Sequence, residues 1–414
     1  MVLNNDSNTI NEIILRNKNL LSKYHYFKNP YDIYYKKFLT NMFYYIKQSD
    51  IYMSKNNIGK VNIKKIKNID DIPKSIVFYK YNHYFPQIIV KHIVYNSSYS
   101  LKYSYNINGF NINLFFILFD NKLQYNTIET YDKYSYYIFN VLYLLLINNN
   151  INIKNINNKN YLNIFIYHTD LKKNIPINKN NIISSINVNT GFTSSNSNES
   201  EIVIFRKEEW FKVFIHECFH FLKLDFSNMN LDFLNKKMYK LFNIKSSFNI
   251  YEVYTEIFAR LLNICFISYR LLDKPNKKMY FKYCNFFIEI EKIFSQLQSV
   301  KILNYMGLTY NDLVCNNHKC ELYNENTNVL SYYILPACIF SNINSFLEWC
   351  DINNSPYTMN FKKTKYNLNK FFKYIKSLYK NEILLLNMDI INKYFKHFNN
   401  FYIINTLRMS AIEL

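Results

Sequence analysis

The spacing of apolar positions changes character along the chain, and each change predicts an element. Residues 1–75 are polar with weak helical periodicity, which predicts mostly helix. Between 76 and 120 lie short β-branched and aromatic runs, SIVFYKYNHYF, QIIVKHIVY, YSLKYSY and INLFFILF. Asn, Ser and Gly109 separate them, which predicts a β-meander. Residues 128–148 form one long apolar run, read as a buried helix. Its densest part, YYIFNVLYLLLI from Tyr136 to Ile147, is broken by Asn140 and is too short to cross a bilayer. The Asn-rich INNNINIKNINNKN at 147–160 predicts a loop and a boundary.

The second half begins with β-type patterns and ends in helical ones. YLNIFIYHT (161–169) predicts a strand, and INVNTGFT (186–193) predicts another, ending at Gly191. SSNSNES (194–200) predicts a loop, and EIVIF (201–205) a short strand. From 207 to 224 neither Gly nor Pro interrupts the pattern, which predicts a helix; 249–272 predicts a second strong helix. The remainder predicts mainly helices, including KMYFKYCNFFIEIEKIFSQLQ and VLSYYILPACIFSNINSFLEW. The expected class is α+β. Residues 1–150 form an N-terminal α/β region of unassigned role, 151–300 a core, and 301–414 a helical C-terminal subdomain.

Composition narrows the setting more than the function. The 414 residues carry a formal net charge of +20, the electrostatic footprint of a nucleic-acid or acidic-membrane partner. The lysines are dispersed and form no long block or nucleic-acid motif, however. Asn, Ile, Lys, Tyr and Phe dominate, while Gly occurs four times and Pro seven. That is the profile of a very A/T-rich genome, as in some large DNA viruses and some protists. Seven cysteines without framework spacing point to a reducing compartment. The opening MVLNNDSNTINEIILRNKNLL has no basic-then-apolar signal pattern. A soluble, intracellular protein without a membrane span is expected, in host cytoplasm or virion if the chain is viral.

One stretch carries chemistry. In VFIHECFHFL (213–222), His216, Glu217 and His220 stand among apolar neighbours. Burying such groups without partners costs several kcal/mol, on the order of 2–7 each for neutral polar groups. Residues four apart on a helix share a face, with Cβ atoms about 5–6 Å apart. Two imidazoles so placed can hold one Zn²⁺. Glu217, about 100° round the helix, can serve as general base for a zinc-bound water. Cys218 lies about 200° round and reads as core packing. With 8 His and 30 acidic residues in 414, chance yields such a motif with a probability on the order of 0.01.

A catalytic zinc needs a third protein ligand. The H-E-x-x-H-x-x-G-x-x-H extension is absent, because Lys223 and Phe226 stand where Gly and His would be. Asp225, at the tail of the same helix, faces away or caps the end. On the next strong helix, Glu252 and Glu256 are one turn apart and share a face with Ala259, whose small side chain permits close helix approach. One of these carboxylates can ligate the metal while the other orients a ligand histidine.

HECFH followed by this E-x-x-x-E helix resembles the zincin metallopeptidases, and within them the gluzincin branch. YEVYTEIFARL is most similar to the corresponding helix of the anthrax lethal factor group. The resemblance spans roughly residues 160–265. It implies a zincin-like core, a small mixed sheet beside an active-site helix, and a metalloprotease (a hydrolase) acting on polypeptide substrates. It further implies one Zn²⁺ on His216, His220 and Glu252, with Glu217 as general base and Glu256 supporting a ligand histidine. Zincins pair extended substrate with an edge strand above the active helix; INVNTGFT is the candidate here, with Asn189 and Gly191 as substrate-binding positions. Phe219 departs from the small residue of many relatives but removes no ligand.

Two rival readings follow from other features. A catalytically silent zincin serving in binding or assembly would account for the large unmatched remainder. A basic nucleic-acid-associated protein would account for the charge. Cys315, His318 and Cys320 read as a solvated loop for want of a second Cys/His pair. His168 reads as structural.

Overall fold

The computed structural model describes residues 3–16, 32–56, 59–78, 84–149, 161–195, 200–315, 318–354, 359–395 and 400–413. The class is α+β. The chain divides into two compact units, one of residues 44–172 and 189–224, the other of 1–43, 173–188 and 225–414. Each unit is assembled from non-consecutive stretches, as strands of one sheet come from distant parts of the chain. The expected boundary loop falls largely on 150–160, outside the described residues.

Helix α1 (Asn5–Arg16) lies in the other unit, and of α2 (Ile33–Lys55) only the residues from 44 on lie in the first. The sheet of that unit has six strands: β1 (Asn62–Lys65), β2 (Tyr99–Ile107), β3 (Phe110–Leu118), β4 (Tyr161–Thr169), β5 (Gly191–Ser195) and β6 (Ser200–Arg206). Their order is β1-β2-β3-β4-β6-β5. The β3/β4 and β4/β6 pairs are parallel and the others antiparallel, so the sheet is mixed. Asn108 (φ 50°) and Gly109 (φ 86°) close the β2–β3 hairpin, the double positive φ that a tight two-residue turn requires. Apolar residues alternate along both strands, with Leu101, Tyr103, Leu114 and Phe116 buried.

Two expected strands of this region are corrected. QIIVKHIVY is not a strand but helix α3 (Gln87–Asn96), following Pro86. Its buried residues, Ile89, Val90 and Ile93, recur at helical spacing and pack with Phe165, Tyr167 and Phe192. Proline at the start costs no hydrogen bond, and helical periodicity overrides the β-branched composition. INVNTGFT is likewise not a strand throughout. Ser185–Val188 makes one helical turn, and the strand starts rather than ends at Gly191. The Asn187 carboxamide accepts from Ser184 N at 3.1 Å, a local bond that competes with strand pairing. Ser194 and Ser195, expected in a loop, belong to β5; residues 196–199 lie outside the described residues. So do 79–83 of SIVFYKYNHYF, whose described residues 76–78 form a turn and not a strand.

Helix α4 (Tyr125–Asn148) is the buried helix expected at 128–148. Helix α5 (Trp210–Phe221) follows β6 after a sharp turn in which Glu209 takes a left-handed conformation. It is shorter than the expected 207–224 because Lys223 (φ 53°) ends it. Lys223 N donates to His220 O and Leu224 N to Phe219 O, the paired bonds that close a helix C-terminus.

The other unit is almost all helix: α6 (Asp232–Phe242), α7 (Tyr251–Arg270), α8 (Lys277–Tyr305), and shorter helices onward to Phe401–Asn405. A two-residue parallel pair joins Ile183–Ser184 to Glu325–Asn326. Helix α7 is buried on all sides from Glu252 to Tyr269. Its Arg260 is 1% exposed and donates to Glu256 (2.7 Å), Ser295 (2.8 Å) and Tyr332 O (2.8 Å), and lies 3.4 Å from Glu291. Glu291 accepts from Ser410 Oγ and Ala411 N, which fixes the buried 406–413 segment to the same network. None of the seven cysteines forms a disulfide. Among the described residues no helix is long and apolar enough to cross a membrane.

Candidate metal centre

Helix α5 is short and buried along nearly its whole length. Its position follows from local sequence: β6 is buried at every residue, and the turn at 207–209 sends the chain back along the sheet, against β5 and β6. Gly191 makes this approach possible. A Cβ there would lie 2.7 Å from Val203 O and from Ile204 Cδ1, and 3.1 Å from Val213 Cγ1 on α5. Sequence singled out Gly191 for close approach by substrate; the close approach seen is by β6 and α5.

His216 and Glu217 are buried and His220 partly so. The two imidazoles present Nε2 to Nε2 at 3.1 Å, with ring planes 76° apart. Nitrogens bound tetrahedrally to one ion at about 2.0–2.1 Å sit about 3.3–3.4 Å apart, so the pair is spaced for a shared ligand. Glu252, buried in the first turn of α7, supplies an oxygen. His216, His220 and Glu252 each offer one ligand atom, and these atoms lie within 4.8 Å of one another. Among the described residues this is the group of His, Cys and acidic side chains arranged to hold a metal ion. Two imidazoles and a carboxylate suit a borderline cation with an open coordination position.

The other expected residues find definite places. Glu256 is fully buried one turn beyond Glu252, and its Oε1 accepts from Arg260 Nε at 2.7 Å. Asp225 caps the turn after α5, accepting from Ser227 N (2.9 Å) and Ser227 Oγ (2.7 Å). Cys218 is fully buried, and burial pushes its thiol well up, with the Glu217 charge adding to the effect; it packs rather than ligates. Asn189 is buried, and its carbonyl accepts from Arg206 Nε at 2.9 Å. Tyr254 sits in an aromatic cluster with Phe226, Phe361 and Phe371, its hydroxyl on Met359 O.

Sequence reasoning missed Thr193. It lies on β5, the edge strand of the sheet, and its Oγ1 is 2.8 Å from Glu217 Oε2 and 3.0 Å from Glu217 O. Only its place two residues after Gly191, on a strand beside the helix, could have signalled it.

Among the described residues the weaker motifs form no metal-holding group. Cys320 is buried with its thiol on Asp312 O at 3.0 Å, while Cys315 is exposed; 316–317 of that motif lie outside the described residues. His168 is buried among Phe116, Tyr131, Tyr134 and Trp210, with Nδ1 3.1 Å from Tyr131 Oη. Burial, with the charge of Lys207, pushes its pKa down to about 3. It is a neutral core imidazole.

No protein-family model, no curated protein and no solved structure matches the chain.

Proposed function

We propose that the chain is a zinc-dependent peptidase with a zincin-like core. The observation that carries this reading is the convergence of His216, His220 and Glu252, with Glu217 beside His216 on the same buried helix. The three converging side chains would hold one Zn²⁺. The ion, when bound, supplies a Lewis acid that polarises a scissile carbonyl and acidifies water. Glu217 takes the proton of the attacking water and passes it to the departing amine. Glu256 orients a ligand histidine while its Oε1 keeps the Arg260 hydrogen bond. The substrate is a polypeptide.

The reading is tested by Glu217→Gln, which keeps the shape of the side chain and removes its basicity. Zinc content should stay at one per chain while hydrolysis of a peptide library falls by about 10²–10⁴. Hydrolysis surviving in the zinc-loaded variant would overturn it.

A further inference from the structure

We infer that Thr193 is a positioning residue for Glu217, tying its carboxylate and its main-chain carbonyl to the edge strand. The inference rests on the proposed peptidase reading and deepens it. A threonine hydroxyl has one proton and two lone pairs. Here it faces two acceptors of one residue, Glu217 Oε2 at 2.8 Å and Glu217 O at 3.0 Å. The one proton is shared between them, with Oε2 the nearer, so that a single strand residue holds both the side chain and the main chain of Glu217.

The surroundings make this hold rigid. Glu217 O belongs to the helix and Thr193 to a strand paired with β6 from Gly191↔Ile204 to Ser195↔Ser200. The Gly191 contact with Val203 and Val213 fixes the strand against the helix two residues earlier. The hydroxyl is thereby set by backbone on both sides, the condition for precise placement of a reacting group.

Thr193→Val replaces the hydroxyl with a methyl of similar shape, and Thr193→Ser keeps it. The valine variant should lose at least tenfold in kcat with KM and zinc content unchanged, and serine should stay within about threefold of wild type. A second readout needs no turnover. In a double-mutant cycle of Thr193→Val with Glu217→Ala, urea-unfolding constants should depart from multiplicativity by about fivefold or more. Multiplicative constants, or full kcat in the valine variant, would overturn the assignment of Thr193 while leaving the peptidase reading intact. A zinc-loaded wild-type protein without hydrolytic activity would overturn the peptidase reading and this inference with it, whatever the cycle shows.

Discussion

Adding one methyl group at Gly191 tests how the edge strand meets the helix. In Gly191→Ala the new Cβ would stand 2.7 Å from Val203 O, 2.7 Å from Ile204 Cδ1 and 3.1 Å from Val213 Cγ1. Carbon atoms rest at about 3.5–4.0 Å from their neighbours. The isoleucine terminus can swing aside, but Val203 O is backbone in the strand paired with β5. The strand must therefore open from its partner or move off the helix. Overpacking of this kind costs about 1–3 kcal/mol. Losing glycine's freedom in the unfolded chain returns about 0.4–1 kcal/mol, which leaves a net loss of about 1–2 kcal/mol. In a unit of this size, Tm should fall by about 2–8 °C. Circular dichroism on heating measures it, and urea unfolding supplies the free energy. Gly59→Ala is the control: its nearest neighbour, Ser104 O, would lie at 3.5 Å, an ordinary contact, so that variant should be neutral or slightly stabilised. If Gly191→Ala melts with the wild type and with Gly59→Ala, the strand does not sit as close to Val203 and Val213 as argued.

Two further outcomes follow from buried charges. Arg260→Met should destabilise by about 3–5 kcal/mol in urea unfolding, because it leaves Glu256 and Glu291 buried without their guanidinium; a loss below about 1 kcal/mol would show the network to be dispensable. His168 stays neutral in the folded chain down to about pH 3, while in the unfolded chain it takes a proton below about 6.5. Acidification therefore favours the unfolded chain, and between pH 7 and 5 this one residue should cost about 2 kcal/mol. His168→Phe should flatten that part of the stability–pH curve, and an unchanged slope would count against the buried neutral imidazole.

What the sequence could show depended on how local the cause was. The helices bearing His216 and Glu252 were legible because their apolar residues recur without Gly or Pro, and their ends were set within a few residues. The α+β class was legible for the same reason. QIIVKHIVY misled because its β-branched content favours strand while its buried face, Ile89, Val90 and Ile93, has helical spacing. INVNTGFT misled because a side-chain bond of Asn187 starts a helical turn before the strand. Thr193 was hardly legible, its place two residues after Gly191 being the one hint. Its meeting with Glu217 depends on strand register and on the way α5 folds back along the sheet, neither of which leaves a pattern in the residues. Glu256 was legible as a buried carboxylate, but its Arg260 partner, one turn on, becomes meaningful only with Glu291 and Ser295 of another helix beside it.

Metal analysis of the purified protein addresses the centre itself. Wild type, dialysed against buffer with trace zinc, should retain one zinc ion per chain by atomic emission. His220→Ala and Glu252→Ala should each bind markedly less, and Glu217→Gln should bind as wild type. Wild-type protein that stays metal-free at micromolar zinc, or a His220→Ala variant that binds as tightly as wild type, would contradict the account.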